Sequence, residues 1–102
     1  MEQLKLTKPV MINGEKTGEI PYDLERLTGA DVQQAMKELQ QRGIQVGMVE
    51  LDVNYHAAIF ACAAGLALED VARFGIKDYN KAVAAVRDFF LAPLEGPSAQ
   101  SS

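Results

Sequence analysis

Apolar and polar positions alternate through the first 24 residues, with Leu4, Leu6, Val10 and Ile12 at even spacing and then Ile20, Tyr22 and Leu24. A period of two belongs to a strand with one buried face. Between the two runs stands Asn13-Gly14, the dipeptide that best tolerates the two positive φ angles of a type I′ turn. The pattern therefore predicts an antiparallel hairpin over residues 3–24. Pro9 and Pro21 each remove a ladder donor, so each strand is expected to be an edge or to break at its proline. An isolated two-stranded hairpin is only marginally stable, which requires the rest of the chain to cover one of its faces.

From Thr28 the period lengthens. Thr28 suits a helix N-cap, Asp31 sits in the first turn, and Val32, Ala35, Met36 and Leu39 share one helical face up to a stop at Gly43. On the opposite side Glu38 and Arg42 form an i,i+4 pair, worth roughly 0.2–0.5 kcal/mol. Ile44 to Leu51 carries two glycines and no sustained period, and reads as a loop. Asp52 is the expected cap of a second helix that stops at Gly65, with Tyr55, Ile59, Cys62 and Ala63 on one side. Its composition is nearly all apolar, so it either lies at the centre of the core or offers a second apolar face to a partner. A short helix from Leu68 to Phe74 ends at Gly75. The last helix, from about Asp78, carries Tyr79, Val83, Val86 and Phe90 as a stripe. Together these elements predict an α+β fold, an N-terminal β-hairpin packed against a small bundle of three to four helices. One domain is expected over residues 1–92, with the hairpin at 3–24 and helices within 29–92. From Pro93 the composition turns to Gly, Pro and Ser, and residues 93–102 read as a disordered tail.

Composition narrows the function more by exclusion than by signal. With 48% apolar and 24% charged residues, the chain has the mix of a folded globular domain. Its net charge of −4 is spread without any Lys or Arg run, which argues against nucleic acid or an anionic membrane as partner. No stretch approaches the roughly 18–20 uninterrupted apolar residues of a membrane span, and the first residues lack the basic start of a signal peptide. A cytoplasmic location is the resulting expectation. Small domains bury a smaller share of their surface, so a homo-oligomer is one way for this chain to gain stability.

Candidate chemistry is sparse. His56, the one histidine, lies at helical spacing from Asp52 and Phe60 and reads as a core or edge residue; with Cys62 it does not make the three-ligand set of a zinc site. Cys62 sits among alanines, where a buried, unreactive thiol is expected. Glu69-Asp70 fits the first turn of a short helix better than an acid–base pair. Nor do the glycines form a phosphate loop. No catalytic, cofactor-binding or metal-binding residues are assigned, and binding of another protein is the function class that remains. Candidates for that contact are Phe60, Phe89, Phe90 and Leu91, because successive residues on a helix point about 100° apart and Phe89-Phe90-Leu91 cannot all share one buried stripe.

The opening Leu4-Lys5-Leu6-Thr7-Lys8-Pro9-Val10, the Ile12-Asn13-Gly14 turn, the second strand closing on Tyr22 and the helix start from Thr28 to Asp31 together resemble the bacteriophage tail assembly chaperones. That group includes the tail proteins E of P2-like phages and their counterparts in Mu-like phages. The closing Val86-Arg87-Asp88-Phe89-Phe90-Leu91 is similar too, and the resemblance covers about residues 4–91. It implies a non-catalytic chaperone, encoded by a phage or prophage and working in the bacterial host cytoplasm. Its implied client is the tape measure protein, kept soluble until the tail tube forms around it. The resemblance also implies, as a further partner, a longer form of the same chain made by frameshifting. Two other readings stay open on the residues alone: a minor structural component of the tail, and a small regulatory protein-binding module.

Overall fold

A computed structural model describes residues 2–48 and 51–101, with side chains described as far as Leu91. The order is β1 (Glu2–Ile12), β2 (Glu15–Tyr22), a 3-10 turn (Leu24–Arg26), α1 (Gly29–Gln41), α2 (Val53–Ala64), α3 (Leu68–Ala72) and α4 (Ile76–Ser101). This is the expected α+β architecture, an antiparallel hairpin followed by four helices. Asn13 and Gly14 take φ values of 53° and 83°, the positive pair that the hairpin turn requires.

One face of the hairpin is buried through Leu4, Ile12, Ile20 and Tyr22, and this face packs on the helices. α2 is the central helix, packed against α4, α1, α3 and β2. That position explains its composition: every residue from Tyr55 to Ala61 is buried, so no polar face is needed. Both of its ends are fixed as the sequence predicts. Asp52 accepts from the Tyr55 N–H at 3.0 Å and the Gly47 N–H at 3.1 Å. Gly65 takes φ 69° at the other end, where Leu66 N–H reaches the Ala61 carbonyl at 2.9 Å. α1 closes in the same way, with Gly43 at φ 77° and Ile44 N–H on the Leu39 carbonyl at 2.9 Å.

Ile44 to Met48 has no regular structure, in keeping with the expected loop, whose Val49 and Glu50 lie outside the described residues. α4 starts two residues earlier than the apolar stripe indicates, and its bounds reach Ser101. The composition of residues 93–102 predicts a disordered tail, whereas the backbone of α4 is helical to Ser101.

β1 is not a continuous partner of β2. Lys5 pairs with Glu19 and Val10 with Thr17, so Leu6, Thr7, Lys8 and Pro9 face Gly18 alone. A break of this kind strands backbone donors that must find other acceptors. Pro9 has none to offer. The Asp78 carboxylate of α4 takes those of Thr7 and Lys8: Thr7 N–H at 2.9 Å, Lys8 N–H at 3.2 Å, and with them the Thr7 hydroxyl at 3.2 Å. Next along the helix, Lys81 donates to the Lys5 carbonyl at 2.7 Å and lies 3.5 Å from Asp78. Asp78 is fully buried. Burial alone raises a carboxyl pKa, but here the Thr7 and Lys8 N–H groups, the Thr7 hydroxyl and the Lys81 charge outweigh it and hold Asp78 below the usual range. The hairpin is thus locked to the start of α4 by a charge inside the fold.

Candidate partner-binding site

The other end of α4 is built from aromatics. Phe90 stacks on Tyr55 with ring centres 6.1 Å apart and lies 6.2 Å from His56, which places it against the first turn of α2. Phe89, one helical step round, meets Phe90 edge-on at 6.0 Å. Phe89, Phe90 and Leu91 are all half-buried. Phe60 differs: it is fully buried, 5.0 Å from Tyr22 and edge-on to Phe74 at 6.2 Å, so of the four contact candidates it belongs to the core. It lies in the middle of α2, the helix that packs against α1, α3 and α4.

Two depressions adjoin Phe89. One of about 270 Å³ runs along the 3-10 turn and the start of α1, lined by Leu24, Leu27, Val32, Ile59, Phe89 and Phe90 together with Glu25, Thr28 and Gly29. The second, about 150 Å³, is lined by Glu2, Tyr22, Asp23, Leu24, Glu25 and Phe89. Local capping explains how the first is held open. Asp23 accepts from Glu25 N–H at 3.2 Å and starts the 3-10 turn, while Asp31 accepts from Thr28 N–H at 2.8 Å and starts α1. These two caps fix the chain between Tyr22 and Val32, and Leu27 is left facing the end of α4 across the groove. At the rim, the Tyr22 hydroxyl donates to Glu2 at 3.2 Å; burial first, and then the Glu2 charge and this bond, raise the Tyr22 pKa.

A larger depression of about 490 Å³ lies elsewhere, between α1 and the irregular segment, lined by Met36, Gln40, Gly43, Ile44, Gln45 and Val46. It has no aromatic side chain, and aromatic anchors in desolvated pockets dominate protein–protein binding energy. The Phe89 groove is therefore the stronger candidate site.

The remaining titratable groups have structural places. His56 is buried on α2 beside the Tyr55 ring at 5.9 Å. Cys62 is half-buried where a buried thiol is expected, because its side of α2 faces the edge of α1; burial, then the Asp31 and Glu38 charges, push its pKa up. Asp70 reaches back to Ala67 N–H at 3.1 Å in the first turn of α3, and Glu69 pairs with Arg42 at 2.8 Å. Among the described residues no three His, Cys, Asp or Glu side chains gather as a metal site, and no helix is long and apolar enough to cross a membrane.

Sequence patterning leads to Phe89, Phe90 and Leu91 but passes over the opposite wall. Asp23, Glu25 and Leu27 lie in the connection between β2 and α1, where the pattern has no period; Leu24 enters the pattern only as the end of the hairpin's alternation, and Glu2 only as the start of β1. The signal available there is a pair of leucines three apart between two cap residues.

The chain matches, over residues 3–91, the family described as phage tail assembly chaperone proteins, E, or 41 or 14. No curated protein and no solved structure matches it. The match spans both strands, α1 to α3 and α4 as far as Leu91, and the chain belongs to this family of phage tail assembly chaperones.

Proposed function

We propose that this member of the tail assembly chaperone family works without chemistry of its own, binding the tape measure protein in the bacterial host cytoplasm and keeping it soluble until the tail tube forms around it. The observation that carries this reading is the half-buried end of α4, where Phe89 and Phe90 line an apolar groove and Leu91, the next residue, is half-buried too. A chaperone for an apolar client needs such surface on a scaffold that does not itself unfold to provide it. Here the scaffold is the hairpin and α2, and the surface is at their edge.

Co-expression with the tape measure protein tests the reading. Phe89→Ala and Leu91→Ala are expected to lower the yield of soluble client while the chaperone stays folded, its own melting temperature falling by no more than about 4–8 °C. Unchanged client solubility in both variants would remove this end of α4 from the binding surface. Mass spectrometry of purified particles supplies the second arm: an assembly chaperone is absent from the finished tail, and its presence there in stoichiometric amount would make it a tail component instead.

A further inference from the structure

We infer that the groove beside Phe89 takes an amphipathic helix whose apolar stripe is flanked by Lys or Arg. The inference deepens the chaperone reading and rests on it for the partner's origin, though the chemistry comes from the groove itself.

Shape gives the first half of the argument. The two depressions, about 270 and 150 Å³, share Leu24, Glu25 and Phe89, so they adjoin along these three residues and Phe89 is the aromatic common to both. Each lies below the roughly 300 Å³ at which small-molecule pockets begin. Two adjoining hollows of side-chain size suit successive anchors of a helix, the i and i+3 or i+4 residues that insert when a helix lies in a groove.

Charge gives the second half. One hollow is walled mainly by apolar side chains, whereas the other carries Glu2, Asp23 and Glu25. Among the described residues no Lys or Arg lines either hollow. Arg26, next in the chain, has its guanidinium committed to the carbonyls of Cys62 at 2.8 Å and Ala63 at 3.2 Å, and Arg87 lies 3.6 Å from Asp88. Two of the rim carboxylates are oriented without being neutralised: Glu2 accepts from the Tyr22 hydroxyl and Asp23 from a backbone N–H. An apolar floor beside an acidic wall selects an apolar stripe beside a basic one, and repels an acidic helix of equal hydrophobicity.

The test uses the full chain and two labelled synthetic helical peptides with the same leucine stripe, one flanked by Lys and the other by Glu, followed by fluorescence anisotropy. The Lys-flanked peptide is expected to bind about tenfold or more tightly at about 50 mM salt, the gap closing to about twofold at about 500 mM as screening shortens to a few ångströms. Glu25→Lys is expected to erase the preference with the melting temperature unchanged, and Phe89→Ala to weaken both peptides alike. Equal binding of the two peptides, binding of neither, or a preference that survives Glu25→Lys would overturn the inference. It also fails separately from the chaperone reading. A Glu25→Lys variant that solubilises the tape measure protein as well as the parent refutes the basic-helix groove alone. A parent that selects the Lys-flanked peptide but does not solubilise the tape measure protein refutes the chaperone alone.

Discussion

The two ends of α4 solve opposite problems. At its start, a buried carboxylate satisfies the backbone donors that the break in β1 sets loose, and Lys81 completes the contact at the Lys5 carbonyl. At the Phe89 end, three apolar side chains are left half-covered over a groove. One end is a closed polar account with defined partners and directions; the other is apolar area with room for more. The difference teaches how a domain of this size can expose binding surface without loosening. Directional bonds fix the helix at one end, so the other can leave hydrophobic burial unfinished.

If that division is right, the largest effect belongs to the polar end. Asp78→Ala leaves the Thr7 and Lys8 N–H groups without their acceptor at a part-buried contact, and is expected to destabilise the fold by roughly 1.5–3 kcal/mol, with Asp78→Asn costing less. Urea unfolding measures this. A loss under about 0.5 kcal/mol would mean that water or another group satisfies those donors equally well, and the contrast between the ends would collapse.

The same carboxylate sets an acid limb. Since its pKa is lowered in the fold, the unfolded chain takes up a proton first, from about pH 3.9 downward. Its stabilising contribution is therefore complete above that pH and is lost as pH falls through the lower native pKa. Asp78→Asn should flatten stability against pH in this acid window and leave the slope above about pH 5 unchanged. Some acid sensitivity should remain, because Asp52, bonded by the Tyr55 N–H, and Glu69, bonded by Arg42, also have lowered pKa values. Parallel curves for variant and parent would assign the acid limb to those groups.

How much of this was legible in the sequence divides along the same line. Local signals were strong where a single residue type dictates a backbone conformation: Asn13-Gly14 at the turn, Gly43 and Gly65 at the helix ends, Asp52 at the cap. The lack of a polar face left α2 either central or partner-facing, and the packing of α1, α3, α4 and β2 on it decides for the centre. Asp78 shows what patterning misses, because in sequence it is an acidic residue in a first turn, where solvent exposure and the helix dipole already explain it. Only the fold brings Thr7 to it, 71 positions away. Pro9 hinted that β1 breaks, yet nothing local named the acceptor. At the other end Phe89-Phe90-Leu91 announced a surplus of apolar surface by helical geometry alone. Phe60 could not be separated from them by composition, since its burial depends on α1, α3, α4 and the hairpin all closing round α2.

The smallest expected change in stability is at the apolar end. Phe89 is half-buried, so truncation to Ala removes part of a side chain's burial and leaves no enclosed cavity; about 1 kcal/mol is expected. The effect on client binding should be the larger one, since an aromatic that lines both hollows is placed to act as an anchor. Measuring both quantities on one variant turns the comparison into a ratio. A loss of about 3 kcal/mol or more in folding would place Phe89 in the core with Phe60, and α4 would then be sealed at both ends. A small folding loss with a large binding loss would instead mark the helix as anchored at Asp78 and open at Phe89.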